Sequence, residues 1–304
     1  MRGGSSGPGT KGSLSGRVAV VAGATRGGGR GIALALAAAG ATVYATGRST
    51  PGHPSPMRRP ETIDETAARI RAAGGLGIAV AVDYRREDAV EALFGRVMAA
   101  EGRLDVLVNS IWGGDPLTRW REPFWRHPLH DGLALLHQAV DTHLTASRYA
   151  AAIMAERRTG LIVEVTDGVG YRYRGSLYYS LAKVAAVHAA EGMARDLAPF
   201  GVTALSLTPG FLRSEAVLDH FGVSEATWRE AIAKDPHFAF SETPLYLGRA
   251  VAALAADPDV GALAGESLAT WDLAKRYGFT DADGTRPDWG AHWRNMVAAG
   301  EVAD

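Results

Sequence analysis

A tyrosine and a lysine four residues apart, Tyr179 and Lys183 in the run YYSLAK, are the pair in this chain best suited to moving a proton. On a helix that spacing sets a phenol and an ammonium on one face, one turn apart. The ammonium favours the phenolate, so it would lower the tyrosine pKa from about 10 toward the range of a working proton donor. The same spacing also occurs where a surface tyrosine lies above a solvated lysine. The rest of the chain has to decide between the two.

A second chemistry lies near the start. The run RVAVVA at 17–22 is apolar and β-branched, and it stops at a turn in which Gly23, Gly27 and Gly29 are interleaved with Thr25 and Arg26. The alanine-rich segment 32–39 then has high helix propensity and ends at Gly40, and ATVYAT at 41–46 returns to strand character. Strand, glycine loop, helix and strand form a βαβ unit of the kind that binds dinucleotides. Glycines let the backbone approach a pyrophosphate, and the helix N-terminus offers unpaired N–H groups and the positive end of its dipole.

The alternation continues through a helix at 61–73, a strand at 77–82 ending at Asp83 and Tyr84, a helix at 87–100 and a strand at 104–109. One long helix is expected at 131–157, then a strand at 160–166 ending at Asp167, and a helix at 176–198 that carries Tyr179 and Lys183. A sixth strand, 202–207, is closed by Thr208-Pro209-Gly210; short helices at 214–221 and 224–234, a longer one at 243–256 and a last strand near 266–271 complete the pattern. This predicts an α/β fold: a doubly wound, Rossmann-type parallel sheet of about seven strands in a three-layer αβα arrangement. Residues 1–15, rich in Gly and Ser, read as a flexible extension, 16–271 as one domain, and 272–304 as a polar tail whose Tyr277, Phe279 and Trp289 anchor it on the domain or a neighbouring subunit.

Composition narrows the function classes. A net charge of -1 and a pI near 6.8, with no basic tract, point away from nucleic acid and anionic membranes as partners. The absence of cysteine removes disulfides, thiolate metal sites and thiol catalysis together, and fits a reducing cytoplasm. His127 and His130 are three apart, but Pro128 breaks a helical ligand face and no HExxH pattern occurs, so no metal site is expected.

In this order the residues resemble the short-chain dehydrogenase/reductase family over about residues 16–271. Gly23-x-x-x-Gly27-x-Gly29 matches the family's cofactor glycines, Asp83 its adenine-contacting acid, Tyr179 and Lys183 its catalytic pair, and Pro209-Gly210 its loop beside the nicotinamide. The resemblance implies a nicotinamide cofactor, Tyr179 as proton donor, Lys183 as its tuner and ribose ligand, and a homodimer or homotetramer. Enzymes that use NAD place an acid after the second strand, whereas a 2′-phosphate needs a cation there. Here Gly47 is followed by Arg48, and Arg26 sits in the glycine loop, which favours NADP(H).

Three positions depart from the family pattern. Its substrate-binding serine aligns with Asp167, or with the neighbouring Thr166 if the loop differs by one residue; strand register favours Asp167. Its relay asparagine aligns with His143, which could hold the same water or relay protons itself, or could be a buried histidine satisfied by a backbone carbonyl. The usual Asn-Asn-Ala-Gly has become Asn109-Ser110-Ile111-Trp112, leaving Asn109 to brace the sheet and bringing a large ring toward the cofactor.

An ionised carboxylate beside a developing alkoxide is repulsive, so Asp167 is expected either to be protonated or to prefer a cationic imine. The expected reaction is NADPH-dependent reduction of a C=O or C=N bond in a bulky small molecule. A cofactor-binding regulator and a nicotinamide-assisted isomerase or lyase are the alternatives. The aromatic segments 112–125, which holds Trp112, Trp120 and Trp125, 171–178 with Tyr173, and 211–228 with Phe211 suggest the substrate wall.

Overall fold

The computed structural model describes residues 12–54 and 57–300. In chain order the main elements are β1 (Val18–Ala22), α1 (Gly27–Ala38), β2 (Thr42–Gly47), α2 (Ile63–Ala72), β3 (Leu76–Ala81), α3 (Glu87–Glu101), β4 (Val106–Asn109), α4 (Leu129–Leu136) and α5 (Thr142–Arg157). They continue with β5 (Gly160–Val165), α6 (Leu177–Leu197), β6 (Val202–Thr208), α7 (Glu215–Phe221), α8 (Pro244–Ala256), β7 (Ser267–Ala269), α9 (Thr270–Tyr277) and α10 (Trp289–Ala298).

All five residues of β1 are buried, as a strand covered on both faces requires. Ala19 and Val21 pack with Ile32 and Leu36 of α1 and with Leu247 and Val251 of α8. Val18, Val20 and Ala22 join the opposite layer, with Phe94 of α3 and Ala146 and Ala150 of α5. The expected αβα sandwich is present, with seven parallel strands in the order β3-β2-β1-β4-β5-β6-β7. The chain winds outward from β1 to β3, returns to the middle and winds the other way from β4. In such sheets ligands bind beyond the strand C-termini where the winding reverses. Here that crevice lies after β1 and β4, between Gly23 and Ser110.

Four boundaries differ from the sequence reading. Residues 1–11 lie outside the described part, but 12–15 are no free extension: Leu14 is buried in the core and its N–H donates to Ala39 O at 2.9 Å. The long helix starts at Leu129 and is interrupted by a π turn at His137–Asp141. There the Thr142 hydroxyl donates to Gln138 O at 2.7 Å, competing for a helical carbonyl. The segment expected to be helical at 224–234 is a 3₁₀ turn over Trp228–Ala233. The last strand is three residues long and runs straight into α9, so the tail carries two helices, α9 in part and α10. It is tied to the start of α8, where the Thr243 N–H donates to buried Asp281 at 2.8 Å.

Candidate active site

The crevice opens with the glycine turn. Gly23 has φ +87°, and a Cβ there would lie 2.4 Å from Ser110 O; one on Gly29 would lie 2.2 Å from Gly23 O. Neither position tolerates a side chain. The N-terminus of α1 has no side-chain cap of its own. Instead Glu215 of α7 reaches across, and its Oε2 accepts from Gly27 N at 2.7 Å. An internal carboxylate thus stands where a helix N-terminus would receive a phosphate, and the cradle fits a dinucleotide. Arg30, which no motif in the sequence singles out, braces the turn: its guanidinium is buried and donates to Thr25 O, Glu65 and Thr66. It sits behind the motif, and only the fold brings α2 to it.

Thr25, Arg26 and Arg48 line the same cavity, and no acid stands at the end of β2. Burial depresses the pKa of both guanidiniums. Tyr84 also lines the cavity, with its hydroxyl 2.7 Å from Thr46 Oγ1. Asp83 does not fit its expected role so simply. Its carboxylate is forked onto Arg85, with contacts of 2.6 to 3.2 Å, and it is Arg85 that faces the cavity. Those hydrogen bonds hold Asp83 below the usual carboxylate range.

Helix α6 brings Tyr179 and Lys183 to one wall of this cavity, as their spacing predicts. Tyr179 donates its hydroxyl to Asp167 Oδ2 at 2.7 Å. Thr166 turns inward and donates to the backbone O of Lys183 at 2.7 Å, so Asp167, not Thr166, meets the tyrosine. The expected lowering of the Tyr179 pKa is reversed. Burial pushes it up, and the charge and hydrogen bond of Asp167 push it further. Lys183 does not offset this, because its Nζ lies over the Trp112 ring, 4.0 Å from the centroid, and 5.4 Å from that of Tyr179. Burial lowers the lysine pKa. Trp112 and Trp120 flank the phenol with centroids at 5.4 and 4.8 Å, whereas Trp125 points outward, 71% exposed, against Phe124.

His143 lies beneath this wall and has no nitrogen left for a water. Nδ1 is 2.6 Å from Glu164 Oε2 and Nε2 is 3.1 Å from Ile111 O. A carbonyl can only accept, so the Nε2 contact is an N–H donating to Ile111 O. Of the two readings of His143, these contacts match the buried histidine satisfied by a backbone carbonyl. Asn109 completes the network, donating to Ser147 Oγ at 2.8 Å and to Glu164 Oε1 at 2.7 Å. Glu164 faces this network from the penultimate position of β5, which the strand pattern gives no reason to single out.

The cavity has a volume of about 2110 Å³. A single small-molecule site is roughly 300–1,000 Å³, so there is room for a dinucleotide and a second molecule. Pro209, Gly210, Phe211 and Tyr173 line it. The Gly210 N–H donates to buried Glu242 at 2.9 Å; burial pushes that carboxyl up to about 8. Trp289 and Trp293 of α10 close the far side, Trp289 5.8 Å from the Phe211 ring and Trp293 under the Arg172 guanidinium at 3.8 Å. The sequence suggests only an anchor at Trp289; the folding of the tail over the strand ends makes it a wall.

The short chain dehydrogenase profile matches residues 17–220. A mouse protein, dehydrogenase/reductase SDR family member 1, is 37% identical over 276 residues, 89% of this chain and 85% of its own. A 3-oxoacyl-[acyl-carrier-protein] reductase of Synechocystis is 30% identical over 203 residues, covering 66% of this chain and 76% of that protein. Among solved structures, a metagenomic short-chain oxidoreductase in complex with NADP superposes with a TM-score of 0.63 at 26% identity, over 81% of this chain and 94% of that one. The chain belongs to the short-chain dehydrogenase family, and with it to the nicotinamide-dependent oxidoreductases.

Proposed function

We propose that this chain is an NADPH-dependent reductase of the carbonyl group of a bulky small molecule, with Tyr179 as proton donor. The observation that carries this reading is that the Tyr179 hydroxyl, the Lys183 ammonium and the glycine turn open on one cavity. With a reduced nicotinamide bound, the site would have a hydride donor for the carbonyl carbon. Gly23, Thr25, Gly27 and Gly29 would cradle its pyrophosphate, and Arg26 and Arg48 would take a 2′-phosphate, each with donors in a fixed fork. Pro209 and Gly210 would flank the nicotinamide.

The chain's own residues handle the proton. In the resting site the Tyr179 proton points at Asp167. A carbonyl oxygen entering beside the ring competes for it, and that proton moves from Tyr179 Oη to the oxygen as negative charge develops there. The tyrosinate left behind is reprotonated from solvent. An anionic Asp167 opposes the developing alkoxide, but Lys183 and Arg174 share its wall. Six arginines (Arg26, Arg48, Arg85, Arg172, Arg174 and Arg294) and Lys183 line the cavity against three carboxylates, Asp115, Asp167 and Asp235. That balance favours a neutral carbonyl developing negative charge over a cationic imine.

The test is NADPH and NADH oxidation with neutral ketones and their matched cyclic imines. NADPH with ketones is expected to be the fastest combination, by about tenfold over either change. NADPH that binds but is not consumed with any carbonyl compound would refute the reductase reading; faster imine turnover would refute the charge argument.

A further inference from the structure

The cations of the cavity are not evenly used. Of the six arginines, only Arg85 has an ion pair among the described residues. The three carboxylates are all engaged: Asp115 accepts from Trp112 Nε1, Asp167 from Tyr179 Oη, and Asp235 from His237 N. Arg26 and Arg48 stand at the cofactor end, at the tips of β1 and β2. Arg172 and Arg174 stand elsewhere, on the loop after β5. Two inter-strand spacings separate β1 from β5, roughly 10 Å, so a phosphate over the glycine turn does not reach them by default.

We propose that Arg174 and Arg172 form an anion subsite, so that the substrate is an aromatic or polycyclic carbonyl compound bearing a carboxylate. This rests on the reductase reading for the carbonyl and on the loop itself for the carboxylate. The Arg174 guanidinium is half-buried and fixed, donating to Arg172 O at 2.7 Å and to Gly170 O at 3.2 Å. It lies against Gly168, where an added Cβ would come within 2.8 Å of Nη2. A guanidinium has five N–H donors, so three remain. Arg172 gives its face to Trp293 and spends no side-chain donor on a described acceptor. Two guanidiniums two residues apart on one cavity wall repel each other, and a bidentate carboxylate is the ligand their fork geometry fits. Trp293 lies under Arg172, and Trp112 and Trp120 add flat apolar surface around Tyr179 in the same cavity. Burial also lowers the Arg174 pKa, as expected for a cation desolvated without a contacting counter-ion. Asp167 does not neutralise it by contact, since no ion pair joins the two.

The probes are para-benzoylbenzoate, a diaryl ketone with a carboxylate, and its neutral N-methylamide. Binding to the full chain is measured by titration calorimetry with NADP present, and turnover by NADPH oxidation. The acid should bind about tenfold more tightly than the amide, and added salt should weaken the acid alone. Arg174→Leu should remove most of that preference and Arg172→Leu part of it, with amide binding unchanged; Arg174→Lys should retain some of it. Equal binding of acid and amide, binding of neither, or equal weakening of both in Arg174→Leu would overturn the subsite. If Arg174→Leu does not fold, the salt dependence and Arg174→Lys decide between the same outcomes. Acid-selective binding without NADPH consumption would keep the subsite and refute the reductase reading. Equal kcat/KM for amide and acid, with NADPH consumed, would do the reverse.

Discussion

The two halves of the cavity are built in different ways. The half proposed for the cofactor is made largely by backbone, with two glycines without room for a Cβ, a helix N-terminus and two strand tips, and Arg26 and Arg48 stand beside them. The half proposed for the substrate is made by side chains from four distant segments, around Trp112, Asp167 to Tyr179, Phe211, and Trp289 to Trp293. A backbone cradle accepts only one kind of ligand, whereas a side-chain wall can be changed residue by residue on the same frame. On the proposed reading, the proton is delivered where the halves meet, at Tyr179. The sharpest way to break this division is Tyr179→Phe. It should lower kcat by about 10²–10⁴-fold while NADPH affinity, measured by titration, stays unchanged. A matching loss of cofactor binding would show that the halves are not separable.

A smaller effect tests the cofactor half alone. Arg48→Glu should weaken NADPH binding by roughly 10–100-fold, the worth of one or two charge-assisted hydrogen bonds. NADH binding and kcat at saturating cofactor should barely change. Equal loss for both cofactors would mean that Arg48 shapes the site instead of reading the 2′-phosphate.

The same division explains what is legible in the sequence. The glycine turn, Tyr179 with Lys183, and Pro209-Gly210 each lie within one short segment, so they can be read in the sequence, though it is their shared order and the family resemblance, not spacing alone, that give them roles. The seven-strand sheet follows from the regular alternation of strand and helix. Arg85 taking Asp83, Glu164 taking His143, and Trp293 meeting Arg172 each join segments that only the fold brings together. His143 shows the limit most clearly. Its alignment suggests a relay, but the carboxylate that occupies it projects from a strand 21 residues away, where an acid in an apolar run gives no hint of a partner. The direction of the Tyr179 pKa is hidden for the same reason: Lys183 is one turn away in sequence, yet its ammonium is drawn to the Trp112 ring, while Asp167 reaches the hydroxyl from another element.

The mildest change bears on that junction. Tyr179 must be protonated to give its proton in reduction, so the rate falls as pH rises through its folded pKa. Burial is the larger cause of the upward shift, and the Asp167 charge and hydrogen bond add to it. Asp167→Asn removes the charge at constant size, and Asp167→Ser removes it with a smaller hydroxyl. Both should bring the pKa down, though not to that of a free tyrosine, because burial remains. The alkaline limb of kcat/KM for a neutral ketone should therefore move to lower pH in both variants. Oxidation of the corresponding alcohol, which needs the tyrosinate as base, should become faster in them at a fixed alkaline pH. Opposite signs in the two directions separate a change in the proton donor from a general loss of packing, which would slow both. If the limb moves in Asp167→Ser but not in Asp167→Asn, the hydroxyl and not the lost charge governs Tyr179.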